Sequence, residues 1–228
     1  MAIARRDNLL HKLKDETGCE ILTADITSDA DVERIREFLE STGGISALVN
    51  NAGNAIGVEW VDQANPENWR AMFELNVLGT QRVIKALLPI LRQASAQDGV
   101  ADIVTVTSTA GFISYEGGGG YNASKSALHS VLGTLRLELS GEPIRVVEVA
   151  PGMVKTDEFT LKRLGGDAQK TAALYEGVEA PLVAEDVADV IAYALDAAPH
   201  VNLDLIQLKP VAQAMQYKLH RGPLKPKL

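Results

Sequence analysis

A chain of 228 residues suits one large domain or two small ones, and its 46% hydrophobic content is ordinary for a globular protein. The net charge of −8 argues against a nucleic-acid-binding surface. A single cysteine, Cys19, excludes an intrachain disulfide, and His11, His129, His200 and His220 lack ligand spacing, so no metal site is expected. No apolar run reaches the length of a membrane span, and the first residues lack the apolar core of a signal peptide. A soluble, cytoplasmic protein is expected.

Short apolar runs alternate with longer helical patterns. Strands are predicted at 1–4, 20–24, 45–49, 103–107, 144–149 and 203–208, where apolar and β-branched residues cluster. Helices are predicted at 7–16, 29–40, 69–91, 121–139 and 187–195. In the second, Val32, Ile35 and Leu39 share one face; in the third, Met72, Phe73, Val77, Val83, Ile84, Leu87 and Leu91 are apolar. This alternation predicts an α/β fold, doubly wound around a mostly parallel sheet. Gly117 to Gly120 form a run of four glycines before Tyr121, expected to be a flexible rim. The tail after Gln216 is basic (Lys218, His220, Arg221, Lys225, Lys227) and is either a solvated terminus or an intersubunit arm.

Chemistry concentrates around Tyr121-Asn122-Ala123-Ser124-Lys125, with Ser108 upstream. On a helix, positions i and i+4 share a face, so phenol and ammonium can enter one site. A free phenol titrates near about 10 and is a poor acid or base at neutral pH. A unit positive charge at about 4 Å is worth roughly 4 kcal/mol at an effective dielectric of about 20. At about 1.4 kcal/mol per pKa unit, such a charge lowers the phenol by a few units before screening. A nearby serine hydroxyl can hold a carbonyl oxygen. Tyr-x-x-x-Lys alone is common on helix surfaces, so the surrounding residues decide its meaning.

Those residues make the chain resemble the short-chain dehydrogenase/reductase family. The matching pieces, in family order, are Asp25-Ile26, Leu48-Val49-Asn50-Asn51-Ala52-Gly53, Leu75-Asn76-Val77-Leu78-Gly79, Thr107-Ser108, Tyr121-x-x-x-Lys125, and Pro151-Gly152 with Thr156. The resemblance covers residues 1 to about 208 and implies a single Rossmann-like domain. It implies Tyr121 as general acid in reduction and general base in oxidation. Lys125 lowers the tyrosine's pKa and binds the nicotinamide ribose, and Ser108 orients the carbonyl. Asn76 holds a water linking Lys125 to solvent. Asp25 and Ile26 contact adenine; Asn51, Ala52, Gly53, Pro151, Gly152 and Thr156 line the rest of the cofactor. A weaker likeness, in Glu158-Phe159, Arg163, Pro199-His200-Val201-Asn202 and Lys209-Pro210-Val211, is to NADP-dependent 3-hydroxy acid dehydrogenases of serine-type substrates. Arg163 then suits a substrate carboxylate, or is an ordinary exposed arginine.

Family members open with a strand and a glycine-rich turn that cradles pyrophosphate. Here the first residues resemble the second strand, so roughly 30 residues of the unit are lacking, one strand–turn–helix. The start is either an internal methionine of a longer protein or a truncation, and weak cofactor binding is expected of the chain as given. Arg5 stands where NAD-preferring relatives carry an acid. With Arg6 it suits a 2′-phosphate and hence NADP, or else merely caps a strand with charge.

The implied function is NADP-dependent alcohol–carbonyl interconversion on a small 3-hydroxy acid. The rivals are a reductase of other ketones or acyl carbonyls on the same residues, and a cofactor-free remnant serving as an interaction partner. Apolar residues on more than one face of the third and fourth helices, Val131 and Leu135 among them, predict an oligomer; the resemblance implies homodimers or homotetramers.

Overall fold

The computed structural model describes residues 1–156 and 158–226, so Lys227 of the basic tail lies outside the described residues. The elements in order are β1 (Ala2–Ala4), α1 (Asp7–Thr17), β2 (Ile21–Thr23), α2 (Asp29–Ser41) and β3 (Ala47–Asn50). Next come α3 (Pro66–Phe73), a π-helical segment (Glu74–Gly79), α4 (Thr80–Asp98) and β4 (Ala101–Val106). After a 3-10 turn (Thr109–Gly111) follow α5 (Gly119–Glu138), β5 (Ile144–Pro151), α6 (Phe159–Arg163), α7 (Ala168–Tyr175) and α8 (Ala184–Leu195). The chain ends in β6 (Leu205–Leu208), β7 (Gln213–Met215) and β8 (Lys218–Leu219).

β3-β4-β5-β6 form a parallel four-stranded sheet. β5, apolar except for Arg145 and Glu148, is buried along its whole length, as a central parallel strand must be. β1 and β2 pair in parallel as a separate two-stranded sheet, and among the described residues no strand lies between β1 and β3. A cavity of about 500 Å³ occupies that gap, with Ile3, Ile26, Ile35 and Val49 in its walls. Val49 is 40% exposed although it belongs to a sheet interior by sequence. The main core lies on one side of the larger sheet, where Ile103 and Val146 meet Leu87 and Leu91 of α4 and Leu128 and Leu132 of α5. α8 covers the opposite side, over Val104, Val147 and Val149. It is held there by Arg145, which forks onto both oxygens of Asp102 (2.6 and 2.9 Å) and donates to the carbonyls of Leu195 and Ala197.

Several boundaries differ from the sequence expectation. The predicted helix 69–91 starts at Pro66, a residue preorganised for a first turn, with Asn65 as its cap, and runs on to Asp98, where Gly99 closes it at φ 85°. Its course is interrupted by the π-helical segment. The glycine run borders a small pocket beside Tyr121, as a rim would, but its second half is helical: Gly119 and Gly120 are the first residues of α5. A Cβ on Gly120 would lie 2.5 Å from Met72 Cε and 2.8 Å from Trp69 Cδ1, so the glycines let α5 approach α3. Leu135, counted toward a second apolar face of α5, is buried in the chain's own core; Val131 is half-buried.

Gly120→Val is expected to destabilise the protein by about 1–3 kcal/mol through overpacking at this crossing. A urea midpoint equal to that of the unmodified chain would remove the close-approach explanation.

Candidate active site

The site forms where β4 and β5 end and α5 begins. Ser108 follows β4 and caps the 3-10 turn, accepting from the Ala110 N–H at 3.1 Å. The same hydroxyl is shared with the Pro151 carbonyl at 3.4 Å, which ties it to the end of β5. α5 passes over these strand ends and carries Tyr121 and Lys125 one turn apart, both buried. Ser108, Tyr121 and Lys125 are therefore brought together, as the sequence predicted.

The electrostatics differ from expectation. Burial pushes the Tyr121 phenol up to about 12, and a hydrogen bond from Ser108 and the Arg163 charge only partly offset this. The anticipated lowering by Lys125 does not outweigh this burial. Lys125 Nζ donates to the Val106 carbonyl at 3.1 Å and lies 5.9 Å from the Tyr121 ring centroid. Burial brings the Lys125 ammonium down to about 8, against the opposing pull of the Glu148 carboxylate.

Asn76 sits in the π-helical segment with no exposed surface. Its Oδ1 accepts from the Asn54 N–H at 2.8 Å, and its Nδ2 donates to the Asn54 carbonyl at 2.9 Å and to Ser124 Oγ at 3.1 Å. The side chain thus pins the loop after β3 to α5. In that loop Asn51, Ala52 and Gly53 line the 500 Å³ cavity. A Cβ on Gly53 would stand 3.2 Å from Asn76 Oδ1 and 3.4 Å from Lys125 Nζ, so this cavity residue packs closely against both side chains.

Arg5, Arg6, Asp25 and Ile26 stand on the cavity's other side. Arg5 is largely exposed and 3.6 Å from Asp25. Burial works to raise the Asp25 carboxyl, but hydrogen bonds from Thr27 and the Arg5 charge outweigh it and hold it below the usual carboxylate range. Arg6 reaches across to Glu158, just before α6, at 2.5 Å. Ile26 fills the space beside Gly79. At the far end, Gly152 lies where a Cβ would meet Gln213 Oε1 at 2.3 Å, and Thr156 borders a second, open cavity beside α7.

Arg163 is not presented as an open carboxylate ligand. Its guanidinium donates to the Tyr115 hydroxyl at 2.8 Å and to the Gly57 and Gly117 carbonyls at 3.3 Å each. It lies over the rings of Tyr115 and Tyr121, 5.4 and 5.5 Å from their centroids. With Phe159 edge-on to Tyr121 at 5.9 Å, it closes α6 over the phenol. Tyr115, Asn54, Ser124 and Gln213 escaped the sequence reading, and nothing in their spacing marks them. Glu148 also escaped, although an acid inside a run of β-branched residues was a visible signal.

The comparisons agree with this geometry. A family model described as short chain dehydrogenase matches residues 1–164. An uncharacterized oxidoreductase of Mycobacterium tuberculosis is 44% identical over 99% of this chain and 86% of its own length. An NADP-dependent 3-hydroxy acid dehydrogenase of Salmonella typhi is 34% identical over 97% of this chain and 89% of its own. The closed form of a serine dehydrogenase complexed with NADP+ superposes with a TM-score of 0.87 at 32% identity, covering 96% of this chain and 88% of that one. With Ser108, Tyr121 and Lys125 assembled at the strand ends and a family model matched over most of its length, the chain belongs to the short-chain dehydrogenase family.

Proposed function

We propose that the protein is an NADP-dependent oxidoreductase that interconverts an alcohol and a carbonyl, acting on a small 3-hydroxy acid. The observation that carries this reading is the convergence of Ser108, Tyr121 and Lys125 beside a cavity whose opposite wall bears Arg5 and Arg6. The polar rim of the cavity suits the two ends of a dinucleotide. The largely exposed Arg5 suits a 2′-phosphate, which Arg6 would join by leaving Glu158, and the bare Gly53 backbone lies beside the Lys125 ammonium that would meet the ribose. Asp25 and Ile26 would flank the adenine; Asn51, Ala52 and Gly53 the ribose; Pro151, Gly152 and Thr156 the nicotinamide. NADP bound there supplies or accepts the hydride.

The remaining work falls to the chain. In reduction, Ser108 donates to the carbonyl oxygen, and Tyr121 transfers its phenolic proton to that oxygen as the alcohol forms. A phenol raised to about 12 holds its proton throughout the neutral range, which is the state reduction requires. Lys125 stabilises the phenolate left behind and binds the ribose. Asn76 pins the loop after β3 to α5 through its amide, and its main-chain carbonyl accepts from the Thr80 hydroxyl. A substrate carboxylate would meet Arg163 by taking the place of the Tyr115 hydroxyl. Homodimers or homotetramers remain part of the proposal, with Leu137 (79% exposed) and Leu78 (45% exposed) as apolar surface near α5 and α4.

Among the described residues no helix is long and apolar enough to cross a membrane.

A titration of NADPH fluorescence against the purified chain is the direct test: quenching or enhancement that saturates supports the oxidoreductase, and no response supports the cofactor-free alternative. Tyr121→Phe is expected to lower turnover by about 10²-fold or more, the usual contribution of a proton-transferring group, with cofactor affinity nearly unchanged. Turnover within tenfold of the unmodified protein would remove Tyr121 from the mechanism. NADPH is expected to bind more tightly than NADH, and Arg5→Asp to erase the preference at a cost of about 1.5–3 kcal/mol; equal affinities in the unmodified chain would contradict the assignment. Reduction needs both a protonated Tyr121 and a charged Lys125. Its rate is therefore expected to stay level below pH 8 and to fall above it as the lysine, brought down to about 8, loses its proton; a rate still rising at pH 9 would contradict this.

A further inference from the structure

Glu148 is a carboxylate in the middle of a sheet. It is 1% exposed, on a central strand, and takes no part in the reaction as derived so far. An isolated charge there would be costly, and such groups persist only when paired and hydrogen-bonded. Both of its oxygens are held. Thr107 Oγ1, at the end of β4, donates to Oε1 at 2.7 Å. His129 Nδ1, on α5, is 2.7 Å from Oε2. His129 is the next turn of the helix row that begins Tyr121, Lys125, so three consecutive members of one helical face point at this part of the sheet.

Lys125 joins the same cluster from the active-site side. Its ammonium is bonded to the carbonyl of Val106, the residue preceding Thr107, and Val106 is paired with Val149, the residue following Glu148. The Glu148 charge is the one that acts on the buried ammonium to keep it charged. The other polar groups nearby are accounted for: Thr105, opposite Glu148 on β4, accepts from Asn50, and Asn76 holds Asn54 and Ser124. Arg145 and Asp102 pair with each other three residues away from it in register, with Arg145 directed at α8. Asp204, whose carbonyl accepts from the Glu148 N–H, has its carboxylate beside Arg136. Glu148 therefore faces Lys125 and His129 as its charged or titratable neighbours.

We infer that Glu148 is a positioning residue for the Tyr121–Lys125 pair. Held by Thr107 and by the half-exposed His129, it keeps the buried Lys125 in its ammonium form from the same side of the sheet, under α5. This rests on the dehydrogenase reading for its kinetic consequence but not for its electrostatic one. Removing the carboxylate leaves the ammonium with desolvation unopposed, so Lys125 gives up its proton at lower pH.

The test is Glu148→Gln, which preserves shape and can still accept from Thr107. Lysine side-chain nitrogen NMR would follow Lys125 directly. Its titration midpoint is expected to move down by about one pH unit, the scale expected for loss of one nearby charge. The alkaline limb of the reduction profile is expected to move with it, giving about fivefold slower turnover at pH 8 and little change at pH 6. His129→Arg, a change at a half-exposed position, sets a permanent cation on Glu148 and is expected to shift Lys125 the same way, which keeps the idea testable if the glutamine variant does not fold. A folded variant of either kind with an unmoved Lys125 midpoint overturns the inference. A moved midpoint in a protein that turns over no substrate supports the inference and instead removes the dehydrogenase reading.

Discussion

A lysine ammonium buried against the end of a β-sheet is the constraint on which the site depends. Lys125 is 4% exposed, and a charge so placed must find partners in the protein because water does not reach it freely. It finds the Val106 carbonyl and the field of Glu148. Those partners fix how α5 lies over β4 and β5, and this placement delivers Tyr121 to Ser108. The glycines at the start of α5 permit the same docking from the other side, by admitting Trp69 and Met72 against the helix backbone. Catalytic geometry and core packing are in this sense one problem, solved at a single helix–sheet crossing.

Burial sets the charge states of the paired side chains. A phenol raised by burial is a proton donor at neutral pH, and the ammonium beside it is committed to a backbone carbonyl. A substrate oxygen or ribose entering the site would redistribute these bonds rather than create them. Arg163 is similarly engaged, clasping Tyr115 and two loop carbonyls, so α6 covers the phenol.

Much of this was legible in the sequence because strand ends carry strong local signals. Asn50-Asn51-Ala52-Gly53, Thr107-Ser108 and Pro151-Gly152 each follow an apolar run, and a parallel sheet sends such ends to one edge. What escaped depends on distant partners. The engagement of Arg163 requires Gly57 and Gly117, respectively 106 and 46 residues away in the chain. The lysine's effect on Tyr121 was misjudged because proximity along a helix does not fix where a long side chain turns. The π-helical segment around Asn76 has no compositional mark, and the glycine run looked loose because its neighbours, Trp69 and Met72, belong to another helix.

The interrupted sheet has a consequence for how the molecule opens. No ladder hydrogen bond joins β1–β2 to β3–β6 among the described residues, so the N-terminal unit is attached by side chains: the packing of α2 on α4, and the Arg6–Glu158 and Arg82–Asp29 ion pairs. Exposed ion pairs contribute little to stability, typically about 1 kcal/mol or less. A unit held in this way forms its own cooperative block, with an opening free energy below that of the β3–β6 core. Amide protons of β1 and β2 would then exchange with solvent through partial unfolding, while those of β4 and β5 wait for the whole domain to open.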